Sequence, residues 1–173
     1  DHQFSNSINM SAVNSINWAR IVAQTVYYFF SYFQVCQLKE KINFSVPTGN
    51  FGDVYAGYLS KKIGLPIGKL IVATNQNDIL HRAISKGQYK THSVVETLSP
   101  SMDIQVASNF ERLIYDINDQ NTDKTSKIMQ SIKNEKKYLI EEKELKKIRK
   151  DFVSETISEQ ELLSCIKKVY ENY

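Results

Sequence analysis

The spacing of hydrophobic residues near the start of the chain predicts a long helix. Over residues 11–35, apolar side chains recur at helical spacing, and the run Tyr27-Tyr28-Phe29-Phe30 adds four consecutive aromatic residues. Because a single stripe of a helix cannot hold so many apolar groups, we expect this helix to be internal, with more than one face buried. Asn14 or Ser15 is expected to cap its first turn.

Two strand-like runs flank a helix-like run in the middle of the chain. Residues 42–46 and 69–74 are rich in β-branched and apolar side chains, and residues 53–63 between them predict a helix that ends at Gly64. A strand, a helix and a second strand this close together form a right-handed unit with parallel strands. We therefore expect an α/β fold in which helices cover both faces of an open, twisted parallel sheet.

Capping signals predict further helices. Their boundaries are marked by Asn77 or Asp78 with Gly87, by the capping-box spacing Ser108-Asn109-Phe110-Glu111 ahead of a helix over Phe110–Ile117, and by a second capping box, Ser158-Glu159-Gln160-Glu161. After Asn118 the chain has no Gly or Pro and mixes charged with apolar residues, which predicts solvated amphipathic helices. We therefore divide the chain into a partial α/β domain over 1–118 and a charged helical extension of the same domain over 119–173.

The composition excludes several classes of function. With 22 basic and 19 acidic side chains the net charge is only +3, and no basic stripe interleaves with aromatics, so nucleic acid is not an expected partner. No uninterrupted apolar run is long enough to span a bilayer, and the first residues lack the pattern of a leader. We expect a soluble, cytoplasmic protein without membrane contacts.

The usual catalytic side chains do not form a recognisable site. The three histidines are scattered, and Cys36 and Cys165 lie far apart without metal-ligand spacing, which predicts small buried or half-buried thiols in a reducing compartment. No metal site, nucleophile elbow or Ser-His-Asp arrangement can be argued. Catalysis by this chain would need a cofactor.

The turn Gly49-Asn50-Phe51-Gly52-Asp53 joins the first predicted strand to the next helix. Its glycines permit unusual dihedrals and close approach to the main chain, and the first amides of the helix have no intrahelical partner. Such a junction suits a phosphate. The turn is neither a Walker loop nor a dinucleotide fingerprint, and a Gly-x-x-Gly turn also occurs without any ligand. The Asp53 carboxylate must face away from an anion or bond to the turn's amides.

A second polar cluster lies at the start of the first helix. Asn14, Ser15, Asn17 and Arg20 place two amides, a hydroxyl and a guanidinium together, which could contact an anionic ligand. Ordinary helix capping with a surface arginine explains the same residues.

Four ordered blocks over about residues 6–116 resemble threonine synthase of the bacterial and fungal type. The blocks are Asn14-Ser15-Ile16-Asn17-x-x-Arg20, Val46-Pro47-Thr48-Gly49-Asn50-Phe51-Gly52-Asp53 with Ala56-Gly57, Ala73-Thr74-Asn75-x-Asn77-Asp78, and Thr97-Leu98-Ser99-Pro100-x-Met102-Asp103. The resemblance implies the large domain of a fold type II enzyme that uses pyridoxal 5'-phosphate (PLP). It also implies conversion of O-phospho-L-homoserine and water to L-threonine and phosphate.

The resemblance also implies roles for both polar clusters. Gly49, Asn50, Phe51, Gly52 and Asp53 match the family's loop for the cofactor phosphate, and Asn14, Ser15, Asn17 and Arg20 match a helix start beside the active-site cleft, where we expect them to bind the substrate.

Two of the family's motifs are missing from the chain. The Schiff-base lysine of the family belongs to a Lys-Asp motif upstream of this region, and its Asp-Pro-His-Thr block has no counterpart here. We therefore expect an internal piece of the enzyme, inactive when isolated. The alternatives are a related phospho-lyase with another substrate, or a non-catalytic phosphate-binding module.

Overall fold

The computed structural model describes residues 7–8, 14–37 and 39–172. Its helices are α1 (Trp18–Val35), α2 (Gly52–Lys62), α3 (Ile79–Lys86), α4 (Phe110–Ile117), α5 (Thr122–Glu135), α6 (Glu142–Asp151) and α7 (Glu159–Asn172). Its strands are β1 (Ile42–Pro47), β2 (Ile67–Thr74), β3 (Gln88–Lys90), β4 (Lys137–Leu139) and β5 (Phe152–Thr156), and a 3-10 turn spans Pro100–Met102.

A parallel sheet in the order β1-β2-β5 organises the structure. The predicted β1-α2-β2 unit is present, and Leu70 of β2 lies opposite both Phe44 and Phe152. Helices α2, α3 and α6 contact β2. Side chains of β2 alternate, so Leu70 and Val72 are fully buried while Ile71 is half-buried. The predicted α/β class with a parallel sheet is confirmed.

The last third of the chain contains strands that the sequence did not predict. Helices α5, α6 and α7 form as expected, but β4 pairs with β3 and β5 joins the main sheet beside β2. Five residues of mixed polarity, Phe-Val-Ser-Glu-Thr, carry little local signal for a strand. Pairing with β2, far away in sequence, determines their conformation, as strand propensity depends strongly on context.

An aromatic cluster joins the sheet to the turn that follows β1. Phe51 packs against Phe110 and Phe152 with ring centroids 5.3 Å and 5.6 Å apart. Tyr89 stacks on Phe110, and Tyr58 contacts Phe152. Since Phe51, Phe110 and Phe152 are fully buried, this cluster fixes the turn to three separate segments of the chain.

Helix α1 is less buried than its sequence predicted. Within its described residues only Ile21, Tyr28 and Tyr32 are buried, whereas Tyr27 and Phe30 are 68% and 64% exposed. The prediction of an internal helix was wrong for this chain, because only one stripe of α1 meets α2 and the sheet. Residues 11–13 of the predicted helix lie outside the described residues.

Two predictions about individual residues were also wrong. Asn17, not Asn14 or Ser15, caps α1: its side chain accepts a hydrogen bond from the backbone N–H of Ala19 (2.9 Å). Cys36 is half-buried as expected, but Cys165 is exposed because no residue of α7 is buried.

Two other local predictions, the end of α3 and the start of α7, are confirmed. Gly87 ends α3 in the left-handed conformation, with φ +70°. At α7, the Ser158 N–H donates to Glu161 and the Glu161 N–H donates to Ser158, as in a capping box. Among the helices of the described part of the chain, none has the length and apolar character needed to cross a bilayer.

Candidate functional site

The turn after β1 is held at both ends by the core. The Thr48 N–H donates to the carbonyl of Ala73 (3.1 Å), which extends the pairing of β1 and β2 by one bond. Three residues later, Phe51 has φ +66° and places its ring in the aromatic cluster. A non-glycine residue is strained in this left-handed conformation. The packing of Phe51 therefore maintains a turn that its backbone alone would not favour.

The two glycines of the turn permit close approach rather than unusual dihedrals. The positive φ falls on Phe51, and neither Gly49 nor Gly52 has one. A Cβ on Gly49 would lie 3.0 Å from the carbonyl oxygen of Ser101 and 3.2 Å from Cα of Met102, and one on Gly52 would lie 3.1 Å from Nδ2 of Asn109. Glycine is therefore needed at these two positions because atoms of other segments leave too little room for a Cβ.

Backbone amides at the turn are free to bind a ligand. Among the described residues, no acceptor lies within hydrogen-bond range of the N–H groups of residues 49–52. The turn leads directly into α2, whose N-terminal end carries partial positive charge. Free amides at a helix start are suited to an anion such as a phosphate group.

The Asp53 carboxylate is bonded within the turn itself. It accepts hydrogen bonds from the Thr48 hydroxyl and from the Val54 N–H (2.8 Å). Burial raises the pKa of Asp53 above its ordinary value, and these two hydrogen bonds partly offset the rise. The Asp53 carboxylate is therefore hydrogen-bonded to residues close to it in the chain, which is one of the two arrangements expected from the sequence.

A cavity of about 270 Å³ opens against this turn. The residues that line it are Ser15, Arg20, Gln24, Pro47, Gly49, Asn50, Gly52, Asp53, Ser101 and Met102. The guanidinium of Arg20 has no hydrogen-bond or ion-pair partner within the described ranges. A free cation and free amides thus face one concave space, which favours an anionic ligand.

Not every predicted site residue faces this cavity. Ser15 and Arg20 do, but Asn14 accepts a hydrogen bond from the Ile16 N–H (3.1 Å) and Asn17 caps α1. Phe51 does not line the cavity, because the whole residue is buried in the core.

Sequence reasoning missed four of the cavity residues, of which Pro47 directly precedes the predicted turn. Ser101 and Met102 lie in a block that carried the family resemblance, so that block was the available signal. Gln24 offered no signal, since it has the pattern of an ordinary polar position on α1.

A polar network fixes the loop that contains Ser101 and Met102. The carboxylate of Asp103 accepts hydrogen bonds from Asn75 Nδ2 (2.6 Å), from Asn77 Nδ2 (3.0 Å), and from the Thr97 hydroxyl (2.7 Å) and N–H (2.8 Å). Asn75 and Asn77 follow the carboxyl end of β2, next to the turn after β1. The network therefore ties the loop to the edge of the sheet at which the cavity lies.

We expect Asp103→Asn to destabilise the protein in a pH-dependent way. The hydrogen bonds, that of Thr97 foremost, hold the pKa of Asp103 below its ordinary value. A depressed pKa means that the carboxylate stabilises the fold above the ordinary Asp pKa of about 4, and that this stability is lost as pH falls through the folded pKa. The Tm of the variant should therefore lie below that of wild type at pH 7, with the gap narrowing in acid. A gap that is constant with pH would contradict this assignment.

A larger groove of about 840 Å³ lies between the start of α1, α4 and α5. Two of its charged groups have partners: Asp116 accepts from the Tyr55 hydroxyl (3.0 Å) and Lys62 (3.1 Å), and Arg112 donates to the Ile16 carbonyl and lies 5.2 Å from the Trp18 ring centroid. Because its arginine is engaged and the acidic Glu111 also lines it, the groove is less suited to an anion than the cavity at the glycine turn. No cluster of metal-ligating side chains is present in the part of the chain that the structure describes.

Comparison with known proteins identifies the class of this fold. No family model matches the chain. It superposes with a TM-score of 0.93 on a PLP-bound threonine synthase from Brucella melitensis, with 43% identity, covering 99% of this chain and 37% of that one. The yeast threonine synthase structure gives a TM-score of 0.88 at 44% identity, covering 93% of this chain and 34% of that one. The parallel sheet and its helices are thus those of a fold type II α/β domain.

Sequence relatives narrow the class to one family. The chain is 45% identical over 170 residues to threonine synthase of Pseudomonas aeruginosa, a match that covers 98% of this chain and 36% of that protein. It is 46% identical over 184 aligned residues to threonine synthase of Saccharomyces cerevisiae, with 99% and 36% covered. The chain belongs to the threonine synthase family, and it spans about a third of the length of these relatives. The resemblance seen in the sequence is confirmed.

Proposed function

We propose that this chain is the part of a threonine synthase that binds the phosphate of PLP. The complete enzyme would convert O-phospho-L-homoserine and water to L-threonine and phosphate. The observation that carries the proposal is the glycine turn, whose free amides face a cavity that also contains Arg20. Similarity to a PLP-bound threonine synthase over nearly the whole chain supports it.

The residues of the turn fit the phosphate of this cofactor. The free amides of Gly49, Asn50 and Gly52, which line the cavity, would donate to its oxygens, and α2 would add the field of its N-terminal end. Asp53 would act indirectly, by holding Thr48 and Val54 in place. When bound, PLP supplies an electron sink for elimination of phosphate and addition of water, and the protein orients it and excludes side reactions.

Of the polar cluster at the start of α1, we assign Arg20 and Ser15 to the substrate. Both line the cavity, whereas Asn14 and Asn17 are engaged in local bonds, so the four-residue substrate site stays a prediction. A guanidinium is well suited to the phosphate ester of O-phospho-L-homoserine because it can donate two parallel hydrogen bonds.

We expect Arg20→Ala, in the full-length protein, to raise KM for O-phospho-L-homoserine by about tenfold, the effect of losing one charge-assisted contact. Steady-state phosphate release measures KM, and equilibrium dialysis measures PLP affinity. Lys167→Ala removes a charge from the exposed helix α7 and serves as the control. A variant with unchanged KM and weakened PLP binding would assign Arg20 to the cofactor instead.

The isolated 173 residues should bind PLP weakly and be inactive. The resemblance implies that the lysine that carries PLP lies upstream of this region, whereas the Lys-Asp pair of this chain, Lys150-Asp151, stands at the end of α6, downstream of the glycine turn. The experiment that tests the proposal compares the full-length protein with this chain for visible PLP absorbance and for phosphate and threonine formation. Turnover by the full-length protein alone supports the proposal. Strong absorbance from the isolated chain, or no turnover by the full-length protein, contradicts it.

Neither alternative drawn from the sequence is favoured by a feature of the site. A related phospho-lyase with another substrate would be detected in the same assay, as phosphate release from other phosphorylated amino acids. A cytoplasmic location stays a prediction.

A further inference from the structure

Asn109 is a buried polar residue for which the proposed function has no role. The sequence placed it inside a capping box at Ser108 and Glu111, but that prediction was wrong. Asn109 occupies the N-cap position of α4 without a capping hydrogen bond from its side chain, and the Ser108 hydroxyl bonds to Asn50 Oδ1. The side chain of Asn109 is fully buried.

Both hydrogen-bond donors of Asn109, the side-chain Nδ2 and the backbone N–H, bond to residues that line the cavity. Its Nδ2 donates to the Ser15 carbonyl (2.8 Å) and to the Asn50 carbonyl (3.2 Å), and its backbone N–H also donates to the Asn50 carbonyl (3.0 Å). The Asn109 Oδ1 accepts from Arg112 Nε (3.1 Å), which fixes the orientation of the amide. One side chain thus joins the glycine turn to the start of α1.

The bonds to the Asn50 carbonyl determine where the next amide points. The peptide that joins Asn50 to Phe51 is planar and trans, so its C=O and N–H point in opposite directions. Because the carbonyl is directed at Asn109, the Phe51 N–H is directed away from Asn109. Phe51 itself is fully buried, but the residues on either side of it, Asn50 and Gly52, line the cavity. Asn109 therefore fixes the orientation of this part of the turn through the Asn50 carbonyl.

The second bond of Nδ2 sets the distance across the cavity. Ser15 lines the cavity together with Asn50 and Gly52, and its carbonyl is bonded to the same nitrogen as that of Asn50. Gly52 leaves space for this nitrogen, since a Cβ there would lie 3.1 Å from it. Loss of the Asn109 amide would therefore remove the hydrogen bonds that hold Ser15 and Asn50 on opposite sides of the cavity.

We infer that Asn109 is a positioning residue for PLP, which it orients through the Asn50–Phe51 peptide without touching the ligand, while its bond to the Ser15 carbonyl holds the substrate side of the cavity against the turn. This inference rests on the proposed function. It predicts a loss of PLP affinity larger than the accompanying loss of stability would explain.

The test uses the full-length protein with Asn109→Ala, and Asn118→Ala as a matched control. Asn118 lies at the opposite end of α4, is also buried, and likewise donates from Nδ2 to a carbonyl, that of Ile114 (2.9 Å). Both variants lose a buried amide from one helix, so both should have a lower Tm. Only Asn109→Ala should weaken PLP binding, by about tenfold or more, as expected for one misdirected charge-assisted hydrogen bond.

Phosphorus NMR provides a readout that a merely structural role would not change. The resonance of the bound cofactor phosphate should shift in Asn109→Ala and stay in place in Asn118→Ala. If Asn109→Ala does not fold, Asn109→Ser, which keeps a small polar group, should show a weaker effect in the same direction.

The possible failures are distinguishable. If wild-type protein binds PLP and the Asn109 variants match Asn118→Ala in affinity and phosphate resonance, the inference is overturned and the proposed function stands. If wild-type protein does not bind PLP, both are overturned.

Discussion

Gly49→Val is expected to weaken PLP binding by about a hundredfold, the effect of two charge-assisted hydrogen bonds lost at about 1.5 kcal/mol each. A Cβ at this position would meet the Ser101 carbonyl at 3.0 Å and Met102 Cα at 3.2 Å. Both contacts are backbone, so no flexible side chain can move aside. Either the turn or the opposite loop must shift, and the free amides would no longer converge. Equilibrium dialysis of the full-length protein against PLP measures the change.

Gly64→Ala is the control for a strained backbone far from the cavity. Gly64 has φ +112°, and a methyl group added there would have no atom within 4 Å, so alanine costs stability without crowding. We expect a lower Tm with unchanged PLP affinity. If Gly49→Val binds PLP as tightly as Gly64→Ala does, the close approach of the two loops does not shape the cofactor site.

Phe51→Ala should destabilise the protein by about 3–5 kcal/mol, as removal of a fully buried phenylalanine usually does. The ring contacts Phe110 and Phe152, and its burial compensates for the left-handed backbone of the residue. Thermal and denaturant unfolding of the full-length protein measure the loss. PLP affinity should fall as well, because the released turn no longer holds its amides in place.

Phe51→Leu keeps most of the buried volume and should lose less stability than Phe51→Ala. An alanine variant as stable as the leucine variant would contradict the role assigned to the aromatic cluster. Added PLP should widen the stability difference between Phe51→Ala and wild type, since a ligand stabilises the folded state more when it binds more tightly.

The sequence predicted those parts of the fold whose signals are local. Strand β1, helix α2 and strand β2 were found from a short stretch that alternates apolar runs with turn residues. Helix α4 was placed at Phe110–Ile117, although the residues before it do not form the expected capping box. The turn at Gly49 and Gly52 was proposed as a phosphate site because glycines at a strand-to-helix junction permit close approach to the main chain.

Features that depend on distant partners could not be predicted in the same way. Strand β5 has mixed polarity and exists because it pairs with β2. The positive φ of Phe51 follows from packing against Phe110 and Phe152, and no rule for single residues assigns such a conformation to phenylalanine. The role of Asn109 required the positions of two carbonyls, of Ser15 and Asn50, that the sequence does not bring together.

The distance along the chain between Phe51 and Phe152 affects how the protein is made. The ribosome releases the glycine turn before β5. The Phe152 ring, which packs against Phe51, and the third strand of the sheet follow about a hundred residues later. At about 5–20 residues per second, this delay lasts several seconds. During that time the nascent polypeptide exposes an unpaired edge of the sheet. We therefore expect PLP to bind only after β5 has been translated and Phe152 has packed against the turn.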